Sequence, residues 1–126
     1  MIYGIGTDII DIRRIRKVVN KYGNKFKKRC FHKNEIIKSE KRIKNIESYA
    51  KRYAAKEACA KALGTGLARG VFWKDIEVVN NKYGKPSIIL HNKAKKYLDT
   101  PNCKYNIEVS LTDERDFALA NVIIFK

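Results

Sequence analysis

The sequence is poor in proline and in long apolar segments, and both shortages restrict what the protein can be. No apolar run approaches the roughly 20 residues that span a membrane. The N-terminal stretch MIYGIGTDII has the composition of a β-strand, not that of a signal peptide. We therefore expect a cytoplasmic protein. Only 2 of 126 residues are proline, and no Pro- or Ser-rich linker divides the chain, so a single domain over residues 1–126 is predicted.

Cysteine and histidine are also scarce. Cys30, Cys59 and Cys103 are widely spaced and form no CxxC pair, while His32 and His91 lie far apart in the sequence. This spacing predicts neither a disulfide framework nor a zinc site. Three reduced, partly buried thiols are expected instead.

Acidic residues are outnumbered by basic ones, 13 to 28, which gives a formal net charge of +15. Such a surface attracts polyanions, whether nucleic acid, acidic lipid or an acidic protein. An AT-rich coding genome would also enrich lysine, isoleucine and asparagine without any selection for a partner. The charge alone therefore does not name the partner.

Apolar periodicity predicts the order of the elements. A strand should cover residues 2–9, and a helix capped by Asp11 should follow and end at Gly23. A short helix should cover 33–41, and a long one should run from Ile46 to Leu63, with Gly64 as its stop.

The second half of the chain predicts mainly strands. The expected segments are a β-hairpin with strands DIEVVN (75–80) and PSIILH (86–91), a helix Asn92–Leu98, and the strands YNIEVSLT (105–112) and FALANVIIF (117–125) around the turn DERD. Strands with helices grouped beside them predict an α+β domain, in which helices pack on an antiparallel sheet.

Two carboxylates stand out among the basic residues. Asp8 ends a glycine-punctuated strand and precedes a helix, so it could bind a metal ion or cap the helix. Glu57 lies four residues before Lys61, so both share one face of the long helix. Such a pair is usually solvated. However, a carboxylate on a closely packed, alanine-rich helix needs a cation, which a bound metal would supply.

Three further features also have two interpretations each. The GTG loop at 64–66 could contact phosphate, or it could simply be a helix C-cap. The basic face of residues 13–21 could be solvated, or it could dock an acidic helix or a phosphate backbone. The hydroxyls of SLTD (110–113) suit an ordinary strand end. Taken together with the carboxylates and lysines, these parts could hold a magnesium–pyrophosphate group.

Five segments, in order, resemble one family. They are IYGIGTDIIDI (2–12), RYAAKEACAKALGTG (52–66), FWKDIEV (72–78), GKP (84–86) and EVSLTDERDFALANVII (108–124). Through them nearly the whole chain resembles the small holo-acyl-carrier-protein synthases, which are 4′-phosphopantetheinyl transferases. The resemblance implies that family's fold. It also implies transfer of 4′-phosphopantetheine from coenzyme A to a serine of apo acyl carrier protein, leaving adenosine 3′,5′-bisphosphate, in support of fatty acid biosynthesis.

The resemblance also implies site residues. Asp8 and Glu57 would bind Mg²⁺, and Lys61 would neutralise charge on the phosphates, so these three would be catalytic. Coenzyme A would contact Arg52, Lys56, Gly64, Thr65, Gly66, Lys85, Pro86, Ser110 and Thr112. The acidic carrier protein would contact Arg13, Arg14, Lys17 and Lys21. A homotrimer with active sites between protomers would bring the SLTD segment to coenzyme A bound mainly on a neighbour.

The chain departs from the family pattern in three places, of which Asp11 in place of a common glutamate is the smallest change. Many members have a histidine where this chain has Asp113, and we expect Asp113 to turn from the phosphates toward a lysine, an arginine or a backbone amide. His32 stands where threonine commonly caps a helix, so a weaker cap is expected. The general base stays open between Glu35 and a metal-bound water, with the water favoured.

Two rival functions fit less well. A nucleic-acid-binding module would interleave aromatic and basic side chains on an exposed face, whereas the tyrosines and phenylalanines here fall mostly at core-like positions. A non-catalytic adaptor for carrier proteins would not need Asp8, Glu57 and Lys61 together. We therefore expect neither nucleic acid nor a membrane as a partner.

Overall fold

The computed structural model describes all of residues 1–126. Along the chain it contains β1 (Ile2–Asp11), α1 (Ile12–Tyr22), α2 (Asn24–Cys30), α3 (Lys33–Glu40), α4 (Asn45–Leu63), a 3₁₀ turn (Trp73–Asp75), β2 (Ile76–Asn80), β3 (Pro86–Leu90), α5 (Asn92–Leu98), β4 (Asn106–Glu114) and β5 (Phe117–Phe125). Every predicted element is present, and α2 is additional. No helix is both long enough and apolar enough to cross a bilayer.

The strands form two antiparallel sheets, one of three strands in the order β1-β5-β4 and one consisting of the β2–β3 hairpin. The predicted α+β class is confirmed, and the division into two sheets is a refinement. In the larger sheet Asp8 pairs with Ala120, which pairs with Leu111 on β4. The turn between β4 and β5 is shorter than predicted, because Asp113 and Glu114 still belong to β4.

Glycine on β1 lets α4 lie directly against the larger sheet. A Cβ atom on Gly6 would lie 1.7 Å from the carbonyl oxygen of Ala58, and one on Gly4 would lie 1.9 Å from that of Ala62. The glycines therefore admit a helix of the same chain. Side chains alternate along a strand, so Asp8 shares the face of Gly4 and Gly6 and points toward α4.

The ends of α1 follow the predicted capping pattern. The backbone N–H of Arg13 donates to Oδ1 of Asp11 at 2.9 Å, and Gly23 ends the helix with φ of 53°. The next helix, α2, was not predicted, because only Phe26 and Cys30 supply an apolar face and the remaining residues are polar. Its position depends on tertiary packing, which includes the ring of Phe26 at 6.1 Å from that of Tyr53 on α4.

The side chain of His32 caps α3. The backbone N–H of Asn34 donates to Nδ1 of His32 at 3.3 Å, a long hydrogen bond. Glu35 supports this cap, since its Oε1 accepts from the backbone N–H of His32 at 3.0 Å. Together the two bonds form a capping box in which histidine takes the place of serine or threonine.

Candidate active site

Asp8, Glu57 and Lys61 lie where β1 faces α4. Nζ of Lys61 donates to Oδ1 of Asp8 at 3.1 Å and to the carbonyl oxygen of Thr7 at 3.0 Å. Glu57 lies one turn before Lys61 on the same face of α4. Gly6 contacts Ala58, so the next inward-facing residue of β1, Asp8, continues toward the turn that carries Glu57. The structure thus brings β1 and α4 together at the predicted catalytic residues.

The donor atoms at this site suit a hard divalent cation. Asp8 and Glu57 offer carboxylate oxygens, which Mg²⁺ prefers. Glu57 is half-buried and forms no salt bridge, although lysines surround it in the sequence. Its neighbour Tyr53 stays protonated, because burial and then the charge of Glu57 raise the pKa of that hydroxyl to about 12. A carboxylate without a salt bridge, one turn from the lysine that pairs with Asp8, is a group that could bind a magnesium ion.

The structure corrects the prediction for Lys56, which is buried and cannot line a ligand site. Its side chain is 0% exposed, and its ammonium lies 2.6 Å from Oε1 of Glu35. It also donates to the carbonyl oxygens of Trp73 and Ile76. Burial lowers the pKa of Lys56, and Glu35 opposes that shift. Lys56 therefore joins α4 to α3 and to the start of β2.

The same ion pair argues against Glu35 as a general base. Its side chain is also 0% exposed, and its Oε2 accepts from the backbone N–H of Val78 at 3.3 Å. Arg52 lies 3.8 Å away. Counting the backbone N–H of His32, the carboxylate has four partners inside the core, so it cannot reach a carrier serine at the surface.

Arg52 and Pro86 lie together at a surface cleft of about 230 Å³. Arg52 is nearly buried and donates to Oδ1 of Asn80 at 2.9 Å and to the carbonyl oxygen of Val78. The cleft is lined by Arg42, Ser48, Lys51, Arg52, Val78, Asn80, Gly84, Pro86 and Leu111. Lys85, next to Pro86, is exposed and lies 3.4 Å from Glu108.

The GTG loop closes the C-terminal end of α4. Gly64 has φ of 85°, and its N–H donates to the carbonyl oxygen of Lys61 at 3.0 Å. The N–H of Gly66 donates to the carbonyl oxygen of Ala60 at 3.1 Å. The hydroxyl of Thr65 donates to the carbonyl oxygen of Gly66. These bonds are those of a helix C-cap, so the N–H groups of both glycines are already used within the chain.

Ser110 and Thr112 lie on the outer face of the larger sheet, away from α4. Their inward-facing neighbours Val109 and Leu111 are more buried, while both hydroxyl residues are exposed. Asp8 faces the opposite side of the same sheet. Within one protomer, therefore, the structure does not bring Ser110 and Thr112 to the site of Asp8 and Glu57.

The basic residues of α1 differ in whether an acidic side chain pairs with them. Arg13 forms a two-pronged pair with Asp11, with the closest atoms 2.7 Å apart. This guanidinium holds the pKa of Asp11 down at about 2. Arg14, Lys17 and Lys21 are exposed and form no salt bridge. The free charge of the helix therefore comes from these three residues and only to a smaller degree from Arg13.

Comparisons with known proteins settle the family. The model of the 4′-phosphopantetheinyl transferase superfamily matches residues 4–121. The chain belongs to this superfamily. A holo-[acyl-carrier-protein] synthase of Agrobacterium fabrum is 51% identical, over 98% of this chain and 95% of its own. The crystal structure of the enzyme from Neisseria meningitidis matches with a TM-score of 0.91 and 36% identity, covering 100% of both chains.

A second structure adds a ligand to the comparison. The holo-(acyl-carrier-protein) synthase of Bacillus anthracis, solved in complex with CoA (3′,5′-ADP), matches with a TM-score of 0.82 and 35% identity over 100% of this chain and 98% of that one. The family and fold predicted from the five sequence segments are thereby confirmed.

Within this superfamily member, the structure also reveals residues that the sequence analysis did not select. Arg42 and Lys51 line the cleft beside Arg52. Lys51 Nζ lies 3.3 Å from Oδ1 of Asp113, so Asp113 does turn toward a lysine, as predicted. The sequence shows Lys51 only as one of several basic residues on α4. Nothing in the sequence distinguished it from the many other lysines as a residue that lines the cleft.

Proposed function

We propose that this chain is a holo-acyl-carrier-protein synthase. It transfers 4′-phosphopantetheine from coenzyme A to a serine of apo acyl carrier protein, for fatty acid biosynthesis. The observation that supports the proposal is the contact of Lys61 with Asp8, with Glu57 one helical turn before Lys61 on α4, in a chain 51% identical to a holo-[acyl-carrier-protein] synthase. Its three unpaired cysteines support a reducing, cytoplasmic location.

In the proposed reaction the serine oxygen forms a bond to the β-phosphorus of coenzyme A. The bond from that phosphorus to the bridging oxygen breaks, the oxygen leaves with adenosine 3′,5′-bisphosphate, and the serine proton passes to water. Asp8 and Glu57 would hold Mg²⁺, which supplies positive charge to the pyrophosphate when bound. Lys61 is 53% exposed, so its ammonium can turn from Asp8 to neutralise the leaving phosphate.

Coenzyme A is proposed to contact Lys61, the GTG loop, Lys85 and the cleft at Arg52. The cleft supports this role because Arg42 and Lys51 add positive charge beside it. Lys56 is removed from this set, and it contributes by holding α4 in place. Gly64 and Gly66 would contribute shape, because their N–H groups already donate within the chain.

Carrier recognition is proposed for the exposed face of α1. Arg14, Lys17 and Lys21 have no acidic partner within the chain. A helix with three unpaired cations suits a partner with an acidic surface, since complementary charge speeds association and fixes the docking orientation. Arg13 belongs to this face, but Asp11 already neutralises much of its charge.

A homotrimer with active sites between protomers is proposed on the basis of the outer face of the larger sheet. Ile5 and Ile9 on β1 are 61% and 60% exposed there, and Ile123 on β5 is also exposed. An apolar sheet face of this kind usually marks an interface. Ser110 and Thr112 share the face, so a neighbouring copy packed on it would bring them to that copy's coenzyme A.

Mass spectrometry of an apo acyl carrier protein, incubated with this chain, coenzyme A and Mg²⁺, tests the activity. We expect one phosphopantetheine arm to be added to the carrier, and no addition when a chelator is in excess. The carrier with its acceptor serine changed to alanine is the matched control. An unmodified wild-type carrier, with the chain folded and both substrates present, would contradict the proposal.

A further inference from the structure

His32, Glu77 and His91 meet at a point away from Asp8 and Glu57, although they are far apart in the sequence. His32 precedes α3, Glu77 lies on β2, and His91 follows β3. Nε2 of His91 lies 2.8 Å from Oε1 of Glu77, and Nδ1 of His32 lies 3.5 Å from Oε2. One donor atom from each residue lies within 4.8 Å of the other two.

Glu77 is the residue of this cluster that requires an explanation. Its side chain is only 5% exposed, and the two imidazoles are its only side-chain partners. A buried carboxylate is costly unless a cation or a metal ion compensates its charge. Unlike the Glu35–Lys56 pair, this carboxylate has no lysine or arginine beside it.

Both histidines are held in position by neighbouring groups. The rings of His32 and His91 stack at 5.3 Å between centroids with an angle of 10°. The backbone N–H of His91 donates to the backbone carbonyl oxygen of Asp75 at 2.8 Å, and the backbone N–H of His32 donates to Oε1 of Glu35. The imidazoles are 34% and 35% exposed, so an ion can reach them from solvent while Glu77 lies beneath. An ion bound at Nδ1 of His32 would replace the long capping hydrogen bond that this nitrogen accepts from Asn34.

We propose that His32, Glu77 and His91 form a second metal site, specific for Zn²⁺ or a similar transition-metal ion. Two imidazoles and one carboxylate are a known zinc ligand set with an open fourth position. Zinc bonds of about 2.0–2.1 Å in a tetrahedron place ligand atoms about 3.3 Å apart. The separations of 2.8 and 3.5 Å join the histidines to different oxygens of Glu77, and the three donor atoms lie within 4.8 Å of one another, so the ligands would draw together around a bound ion. The nitrogen donors disfavour Mg²⁺, which prefers oxygen.

A metal ion here would join the start of α3 to the β2–β3 hairpin. His32 lies three residues before Glu35, the carboxylate that neutralises Lys56 in the core. The ion would therefore secure the segment that positions α4 from one side. Its effect is expected on stability, through preferential binding to the folded chain. The inference does not depend on the proposed transferase activity.

Metal titration of the full chain without a polyhistidine tag tests the site. With Mg²⁺ in large excess to occupy oxygen-rich sites, we expect one equivalent of Zn²⁺ to bind by calorimetry. Co²⁺ should give a visible absorption band without a sulfur-to-cobalt charge-transfer band. Zinc should also raise the melting temperature by about 5 °C or more.

Two ligand variants and two controls assign the binding. His32→Asn keeps a capping side chain but removes the imidazole, and His91→Phe keeps a ring. Both should remain folded by circular dichroism and lose the zinc equivalent and the thermal shift. Cys103→Ser and Glu57→Gln should retain both. Absence of zinc binding by the wild-type chain would mean that Glu77 pairs with a protonated imidazole only. Loss of binding in either control would place the ion elsewhere, and either result overturns the proposal.

Discussion

Helix α4 carries three lysine–carboxylate pairs, of which Lys56–Glu35 and Lys61–Asp8 differ most in their burial. Lys56 and Glu35 are both 0% exposed and 2.6 Å apart, whereas Lys61 and Asp8 are 53% and 17% exposed and 3.1 Å apart. Five helical positions separate the two lysines, which turns them about 140° apart around the axis. One pair faces the core and the other faces the proposed active site. Burial therefore separates a lysine that holds the fold from one that can move to a ligand.

The strongest test of this comparison removes each lysine in turn. Lys56→Met leaves Glu35 in the core without its closest cation, so we expect the free energy of unfolding to fall by about 3–5 kcal/mol. Lys61→Met removes an exposed cation and should cost less than about 1 kcal/mol. Urea denaturation followed by circular dichroism measures both.

A double variant tests whether the unpaired charge of Glu35 causes the loss of stability. Glu35→Gln removes the carboxylate charge, so adding it to Lys56→Met should recover part of the lost stability. If Lys56→Met unfolded at the wild-type urea concentration but bound coenzyme A poorly, Lys56 would be a ligand residue. The comparison of the two pairs would then be wrong.

The exposed pair should affect activity where the buried pair affects folding. Asp8→Asn and Glu57→Gln each remove one proposed magnesium ligand and keep the side-chain shape. Turnover should fall about a hundredfold or more, which corresponds to about 2.7 kcal/mol of transition-state stabilisation. Steady-state assays across a range of Mg²⁺ concentrations provide the measurement. Glu57→Gln with full activity in excess chelator would remove Glu57 from the metal site.

The contrast between the pairs also shows which side-chain contacts can be predicted from the sequence. The spacing of Glu57 and Lys61 predicted their shared face, because four residues make about one helical turn. The partner of Lys56 is 21 residues away, on a different helix. No local pattern encodes that approach. The motif around Lys56 therefore predicted a ligand contact where tertiary packing produced a core ion pair.

The parts of the fold that depend on local sequence were predictable, and those that depend on tertiary packing were not. Strands and long helices follow from apolar periodicity, and Asp11, Gly23 and Gly64 mark helix ends through local capping chemistry. The helix α2 has too few apolar residues to produce a periodic signal. The meeting of His32 and His91 likewise depends on how α3 packs beside the β2–β3 hairpin, so their spacing in the sequence argued against any shared site.

A smaller effect is expected on the proposed carrier-binding face of α1. Arg14→Glu reverses an exposed charge without a partner, so the KM for the acyl carrier protein should rise about tenfold while the KM for coenzyme A changes little. Added salt should weaken the difference through screening. Lys82→Glu, in the exposed turn between β2 and β3, makes the same change in net charge and is the matched control. Equal effects of the two substitutions would indicate long-range attraction only.

The smallest effect is expected for Asp113, whose carboxylate faces Lys51 at 3.3 Å. An ionised carboxylate aimed at coenzyme A would repel the phosphates, and this pairing instead holds it beside a lysine that lines the cleft. Asp113→Ala should therefore lower kcat/KM by less than about tenfold, or less than about 1.4 kcal/mol. Asp113→His should be tolerated. Kinetics of both variants, assayed beside Glu57→Gln, provide the comparison. A loss for Asp113→Ala as large as that for Glu57→Gln would give Asp113 a direct role in the reaction.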